Sequence, residues 1–165
     1  MSRIYVIDTS YLLELFAVPG FSTEQAVKTI QAKFKEAIQA RSQLIVPLGC
    51  LFELANHIAD VPDVGQRLAL VEKLTKAVES SVATAQPWQI SPPDKLDIAL
   101  PRMFAEYAKT YLPQGMGLTD TYTLEEALRL RRKYSPAMGC MVHIWTKDRI
   151  LKAHEPDKEP NPFVG

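Results

Sequence analysis

The sequence predicts an α/β fold, a three-layer α/β/α sandwich around a central, mainly parallel sheet. Short apolar runs rich in β-branched residues at positions 3–7, 43–46 and 140–146 are typical of strands buried on both faces. Between them lie longer segments with apolar side chains at helical spacing. Strands that alternate with helices are joined by crossovers, so neighbouring strands run parallel and helices cover both faces of the sheet.

The composition predicts one folded domain. The chain has 165 residues, of which 47% are hydrophobic, which suits a full core and excludes a disordered chain. Lys plus Arg and Asp plus Glu both number 19, so the net charge of zero gives no global argument for nucleic-acid binding. Two cysteines, no signal-peptide pattern and no apolar run of membrane length predict a cytoplasmic protein. We assign residues 1–153 to the domain and 154–165 to a polar, proline-rich C-terminal tail.

The first half of the chain predicts four helices around the second strand. Ser10 is a plausible N-cap for a helix that ends near Phe16. Ser22 and Gln25 have capping-box spacing at the start of a helix over 22–40. Its apolar stripe comprises Ala26, Val27, Ile30, Phe34 and Ile38. Helices at 49–59 and 64–82 follow the second strand, and the latter places Leu68, Val71, Leu74 and Val78 on one face.

The second half predicts an irregular connection over 83–93, with a short extended piece at 88–90. A helix over 98–111 follows, then a loop at 113–117 and a helix over 119–133 before the last strand. The tail is expected to be a surface wrap or a frayed end.

Carboxylates follow the predicted strands. In parallel sheets, ligands bind beyond the carboxyl ends of the strands. Asp8 and Asp148 come just after the first and third strands, Glu53 lies about two helical turns after the second, and Asp120 stands at a helix start. Any one of these residues alone fits a cap or a solvated helix position. Together they would repel unless a cation joined them, and Mg²⁺ or Mn²⁺ prefers such oxygen ligands.

Four motifs in order resemble the PIN-domain family, whose members are metal-dependent nucleases, many of them toxins of toxin–antitoxin pairs. The motifs are VIDTSYLLEL, VPLGCLFELANHI, GLTDTYTLEEAL and IWTKDRIL. The resemblance implies hydrolysis of RNA phosphodiester bonds with Mg²⁺ or Mn²⁺, and places Asp8, Glu53, Asp120 and Asp148 in the catalytic metal site. It also implies a homodimer and, in a toxin–antitoxin pair, an antitoxin partner.

The resemblance further implies a role for each site residue. Asp8 binds or bridges the main metal, Glu53 and Asp120 complete its shell, and Asp148 binds a second metal or orients the water. Ser10 and Thr146 match the family's hydroxyl residues near the first and last acids. Lys147 and Arg149, which flank Asp148, are our candidates for binding RNA phosphates.

Several alternatives remain open from the sequence. A helix start at Thr123, with Glu126 in a capping box, would let Glu125 or Glu126 replace Asp120. Cys50 and His57 lie on one helical face with Glu53, as in a soft-metal site, although zinc sites usually have more such ligands. A PIN-like module that binds RNA or protein without cleavage is a second function. A phosphatase of the haloacid dehalogenase type would have a second Asp where this chain has Ser10.

Overall fold

Residues 1–92 and 95–165 are described by the computed structural model. The sheet has four parallel strands in the order β3-β2-β1-β4. The strands are β1 (Ser2–Ile7), β2 (Gln43–Pro47), β3 (Gln89–Ser91) and β4 (Cys140–Trp145). The α-helices are α1 (Thr9–Leu15), α2 (Glu24–Gln39), α3 (Leu48–Ala59), α4 (Val64–Thr84), α5 (Leu96–Glu106), α6 (Leu118–Lys133) and α7 (Arg149–Ala153).

Alternate side chains of the central strand β1 enter two separate cores. Tyr5 and Ile7 pack with the helices α1 to α4 on one face of the sheet. Ile4 and Val6 pack with α6 and α7 on the other. Because successive side chains of a strand point to opposite faces, a short apolar run supplies both cores. The predicted three-layer α/β/α sandwich is confirmed.

The chain reverses its direction of travel across the sheet beside β1. It proceeds from β1 outward to β2 and β3, and then returns to place β4 on the other side of β1. The last paired residues of β1 and β4 are Ile7 and Trp145. Asp8 and Thr146 therefore leave the sheet side by side at its carboxyl edge, where open α/β sheets bind ligands.

Two predicted helix caps are wrong. Asp8, not Ser10, caps α1, since its carboxylate accepts a hydrogen bond from the Ser10 amide at 3.3 Å. Thr23, not Ser22, caps α2 by accepting from the Ala26 amide at 3.3 Å. The Ser22 hydroxyl instead donates to the preceding turn. An N-cap side chain must reach the amide two or three residues later, and each helix begins where that geometry is met.

Two predicted apolar faces also differ from the structure. In α2 the last residue of the buried face is Ala37 rather than the predicted Ile38, which is 46% exposed. In α4 Leu68 and Val71 are exposed, whereas Leu74 is buried. The buried residues of α4 are Leu74 and Ser81, and the partly buried Leu70, Ala77 and Val78 pack beside them against the core.

The segment before α6 is less packed than its sequence suggests. The predicted helix over 98–111 is α5 followed by a π-helical turn (Tyr107–Tyr111), and no residue of α5 is buried. The extended piece predicted at 88–90 is the strand β3. Of the predicted connection, 83 and 84 belong to α4, and Pro93 lies outside the described residues. Among the helices of residues 1–92 and 95–165, none has the length and hydropathy needed to cross a bilayer.

Candidate active site

Asp8 is a buried carboxylate held by the ends of two adjacent strands. Its Oδ2 accepts hydrogen bonds from Ser10 Oγ at 2.7 Å and from Thr146 Oγ1 at 2.9 Å. Its backbone amide donates to the Trp145 carbonyl at 3.0 Å. Burial raises the pKa of the Asp8 carboxyl, and the hydrogen bonds from Ser10 and Thr146 oppose that rise. The Asp8 side chain is therefore held in one orientation, and burial disfavours its ionised form because water does not reach it.

Glu53 is joined to this site by the residue that follows Asp8. Thr9 Oγ1 donates to Glu53 Oε2 at 3.0 Å, which fixes α3 to the start of α1. Glu53 is 40% exposed, and its other oxygen lies 3.9 Å from His57 Nε2. Sequence reasoning missed Thr9. Its signal was a hydroxyl directly beside the candidate acid.

Asp148 lies one turn beyond β4 and is connected to Asp8 through Thr146. The Thr146 hydroxyl, which donates to Asp8, also accepts a hydrogen bond from the Asp148 amide at 3.0 Å. Asp148 Oδ1 accepts from the Leu151 amide at 2.7 Å and so caps α7. Hydrogen bonds through Thr146 thus join the Asp148 amide to the Asp8 carboxylate, and Thr9, the next residue along the chain from Asp8, bonds Glu53.

Asp120 stands in the first turn of α6, where the Gly117 amide donates to its Oδ2 at 3.4 Å. Burial, as the largest cause, and the negative charges of Asp8, Asp148 and Glu53 together raise the pKa of this carboxyl to about 7. The structure therefore places Asp8, Asp148 and Glu53 within electrostatic reach of Asp120.

The alternatives to Asp120 are occupied elsewhere. Because α6 begins at Leu118, the predicted later start at Thr123 is wrong. Glu126 is buried and hydrogen-bonded to Ser91 and to Arg129, with Arg129 Nε at 2.9 Å. Glu125 faces Arg102 at 3.6 Å. Asp120 is the acid of α6 on which the three other carboxylates act.

The side chains beside Glu53 have structural partners. Burial raises the pKa of the Cys50 thiol, the charge of Asp8 adds to that rise, and Cys50 Sγ lies 3.3 Å from Thr123 Oγ1. The His57 ring packs against Phe21, with 4.4 Å between ring centroids. Within residues 1–92 and 95–165, no three His, Cys, Asp or Glu side chains stand in an arrangement that could hold a metal ion.

The four predicted substrate-binding residues differ in their surroundings. Ser10 and Thr146 both bond Asp8, and Ser10 Oγ also accepts from the Lys147 amide at 2.9 Å. Arg149 is exposed. Lys147 Nζ lies 2.5 Å from Glu14 Oε1, which is fully buried. Sequence reasoning missed Glu14, whose signal was its position as the one charged residue between Asp8 and Glu24.

Replacing Lys147 with Met is expected to destabilise the fold by about 1–3 kcal/mol. A buried pair that loses one partner costs more, about 3–5 kcal/mol, but this Lys is 28% exposed and water screens the pair. Glu14 would keep a single neutral donor, the Thr23 amide at 3.1 Å. Urea unfolding measures the loss, and the double variant Glu14→Gln/Lys147→Met should regain part of it. Unchanged stability in K147M would show that this ion pair contributes nothing.

Replacing Thr146 with Val is expected to cost about 1–3 kcal/mol, because the fully buried hydroxyl serves both Asp8 and the Asp148 amide. The side chains have similar shape, so the loss reports the hydrogen bonds rather than packing. Thr146→Ser keeps the hydroxyl and is the matched control. Urea unfolding of the two variants gives the comparison, and equal stabilities would contradict the linking role of Thr146.

An apolar groove of about 290 Å³ lies beside this site, between α3, α5 and α6. Phe52, next to Glu53, and Leu100 of α5 line it and are 64% and 40% exposed. Tyr122, two residues after Asp120, forms part of its wall. The helices that carry Glu53 and Asp120 thus also carry an open apolar surface.

No protein-family model matches the chain, and no curated protein matches it.

Proposed function

We propose that this chain is a divalent-metal-dependent endoribonuclease of the PIN-domain type, with Asp8, Glu53, Asp120 and Asp148 as its catalytic metal ligands. The observation that carries the proposal is the placement of the buried Asp8 at the carboxyl edge of β1 and β4, where Thr146 bonds both Asp8 and the Asp148 amide and the adjoining Thr9 bonds Glu53. The electrostatic coupling of Asp120 to those three acids supports it.

The chemistry of these residues fits Mg²⁺ or Mn²⁺. All four side chains offer carboxylate oxygens, the ligands that hard divalent cations prefer. Burial and the repulsion from the neighbouring carboxylates together raise the pKa of Asp120 to about 7, with burial as the larger cause. A bound cation would offset the repulsion. As the carboxylates stand they are not arranged around an ion, so binding requires side-chain rotation. Glu53, whose side chain is 40% exposed, would make that movement by giving up the hydrogen bond from Thr9.

The side chains divide the work of phosphodiester hydrolysis. Bound Mg²⁺ or Mn²⁺ supplies activation of a water and stabilisation of charge on the phosphate and the leaving oxygen. Asp8 is the fixed point, because Ser10 and Thr146 both hold its Oδ2 and so define the direction of Oδ1. Thr9 orients Glu53, and Thr146 couples Asp148 to Asp8. Exposed Arg149 is the residue we assign to the RNA phosphates.

The family resemblance extends the proposal to the setting of the activity. It supports a cytoplasmic toxin of a toxin–antitoxin pair, held inactive by an antitoxin protein, and a homodimeric assembly. RNA is the proposed substrate.

A second candidate function is a PIN-like module that binds RNA or protein and does not cleave. The observation that favours it is the open apolar face of α5, on which Leu96, Leu100 and Phe104, spaced four residues apart, are 54%, 40% and 46% exposed. Exposed apolar patches of this kind mark interaction sites.

Cleavage of a mixed RNA pool separates the two functions. The purified protein is incubated with the pool and Mg²⁺ or Mn²⁺, and in parallel with EDTA. A metal-dependent loss of full-length RNA supports the nuclease. Retained binding without cleavage by folded, metal-supplied protein would favour the binding module.

A further inference from the structure

The outer edge of β4 is closed by side chains where another strand would pair. β4 is an edge strand of the sheet, bonded to β1 on its inner side. On its outer side, Val142 and Ile144 present their amides and carbonyls. All four groups are partnered by residues that follow α7 or end it. We call Lys152, Glu155 and Asp157 the edge cap.

The edge cap bonds the strand in the manner of a neighbouring strand. Asp157 Oδ2 accepts from the Val142 amide at 2.8 Å, and the Asp157 amide donates to the Val142 carbonyl at 3.2 Å. Glu155 Oε2 accepts from the Ile144 amide at 3.1 Å, and Lys152 Nζ donates to the Ile144 carbonyl at 2.8 Å. Two carboxylates, an ammonium and one backbone amide thus satisfy the groups that an added strand would otherwise satisfy.

The cap is fixed by ion pairs of its own. Arg131 Nε lies 3.1 Å from Asp157, and Lys152 Nζ lies 2.5 Å from Glu155. Glu155 and Asp157 are 4% and 8% exposed. Charged groups are buried at a cost, and here the cost is offset by bonds to a strand edge and to opposite charges. Glu155 and Asp157 of the polar tail therefore pack against the edge of the sheet.

The strand beneath the cap has the character of a self-pairing segment. Its sequence, CMVHIW, is apolar and β-prone, and it contains no Pro, Lys, Arg, Asp or Glu. An exposed edge of this composition pairs readily with other strands. A second copy of the chain carries the same edge, and two identical edges related by a two-fold axis pair antiparallel.

We propose that the outer edge of β4 is a self-association surface which the edge cap keeps closed. When the cap is removed, the β4 edges of two copies pair and the two sheets become one. This surface lies outside the candidate active site, and the proposal does not depend on the proposed nuclease activity.

The test uses the full chain with Glu155→Ala/Asp157→Ala, which deletes both carboxylate acceptors. The matched control is Asp60→Ala/Glu72→Ala, with the same change in charge at two exposed acids. Sedimentation velocity measures mass against concentration, and hydrogen exchange follows the amides of Val142 and Ile144. At low concentration these amides should exchange at least about 100-fold faster than in the wild type.

The expected result has two parts. The cap variant doubles in mass relative to wild type and control as concentration rises, and the Val142 and Ile144 amides regain protection in the same range. Unchanged mass with exposed amides would overturn the proposal, and so would association that leaves these amides unprotected. If the double variant does not fold, Asp157→Ala, which keeps Glu155 on Ile144, is examined by the same two measurements.

Discussion

Replacing Asp8 with Asn is expected to reduce metal-dependent RNA cleavage by at least about 100-fold. Asn preserves the size of the side chain and its capacity to cap α1 and to accept from Ser10 and Thr146. It removes the negative charge that a divalent cation requires at the centre of the site. Since burial raises the pKa of Asp8, a neutral side chain here costs the fold less than a charged one. Loss of activity in D8N would therefore report chemistry rather than unfolding.

The measurement is the initial rate of cleavage of the RNA pool in saturating Mg²⁺ or Mn²⁺, for wild type, D8N and a matched control. Asp60→Asn is that control, because Asp60 is exposed at the end of α3. Thermal melts confirm that each variant is folded. Equal cleavage by D8N and wild type would remove Asp8 from the mechanism and would direct attention to a contaminating nuclease.

The contribution of Asp120 to stability is expected to fall as the pH rises from about 4 to about 7, and Asp120→Asn is expected to remove that fall. The folded-state pKa of Asp120 is raised from 3.8 to about 7, by burial first and then by Asp8, Asp148 and Glu53. In that window the folded protein binds a proton that the unfolded chain has released, so raising the pH favours unfolding. Below the window both states are protonated, so the pH dependence vanishes and this stability is fully present.

The size of this effect is limited by solvent. One pKa unit corresponds to about 1.4 kcal/mol, but Asp120 is partly exposed and its interactions are screened. We therefore expect the free energy of unfolding of D120N, relative to that of the wild type, to be about 1–2 kcal/mol higher at pH 8 than at pH 4. Urea unfolding at the two pH values gives the difference, with Asp97→Asn, an exposed acid on α5, as control. A gain in D120N that is independent of pH would contradict the assignment.

Metal ions should raise the stability that ionisation of Asp120 lowers at high pH. If the four carboxylates bind Mg²⁺, adding it at pH 8 should raise the melting temperature of the wild type and raise that of D120N less, because the stabilisation follows the affinity for the folded state. Identical shifts in the two proteins would place metal binding elsewhere. This comparison needs no RNA, so it tests the site even where no pool contains the right substrate.

The cap and the active site occupy opposite ends of a short stretch of chain. Thr146 and Asp148 serve the candidate site, and Lys152 to Asp157 close the strand edge a few residues later. A variant of the cap that leaves RNA cleavage intact would show that the two functions separate.

The sequence by itself determined the layers of the fold and the positions of the acids. Short apolar runs between amphipathic segments define buried parallel strands, and a residue that follows such a strand must leave the sheet at its carboxyl edge. Asp8 and Asp148 were therefore located by local pattern alone. The same pattern predicted the short strand β3 only as an extended piece, because three residues are too few to show the alternation of apolar and polar side chains that identifies a strand.

Tertiary structure decided which groups the acids meet. The bond from Thr9 to Glu53 spans 44 residues, and the bond from Thr146 to Asp8 spans 138, so neither is visible in a local window. The choice of Asp120 over Glu126 depended on where α6 begins and on the partners Ser91 and Arg129. The closing of β4 by its own tail needed the same information, since hydrogen bonding to a strand edge is a property of the assembled sheet and leaves no spacing in the sequence.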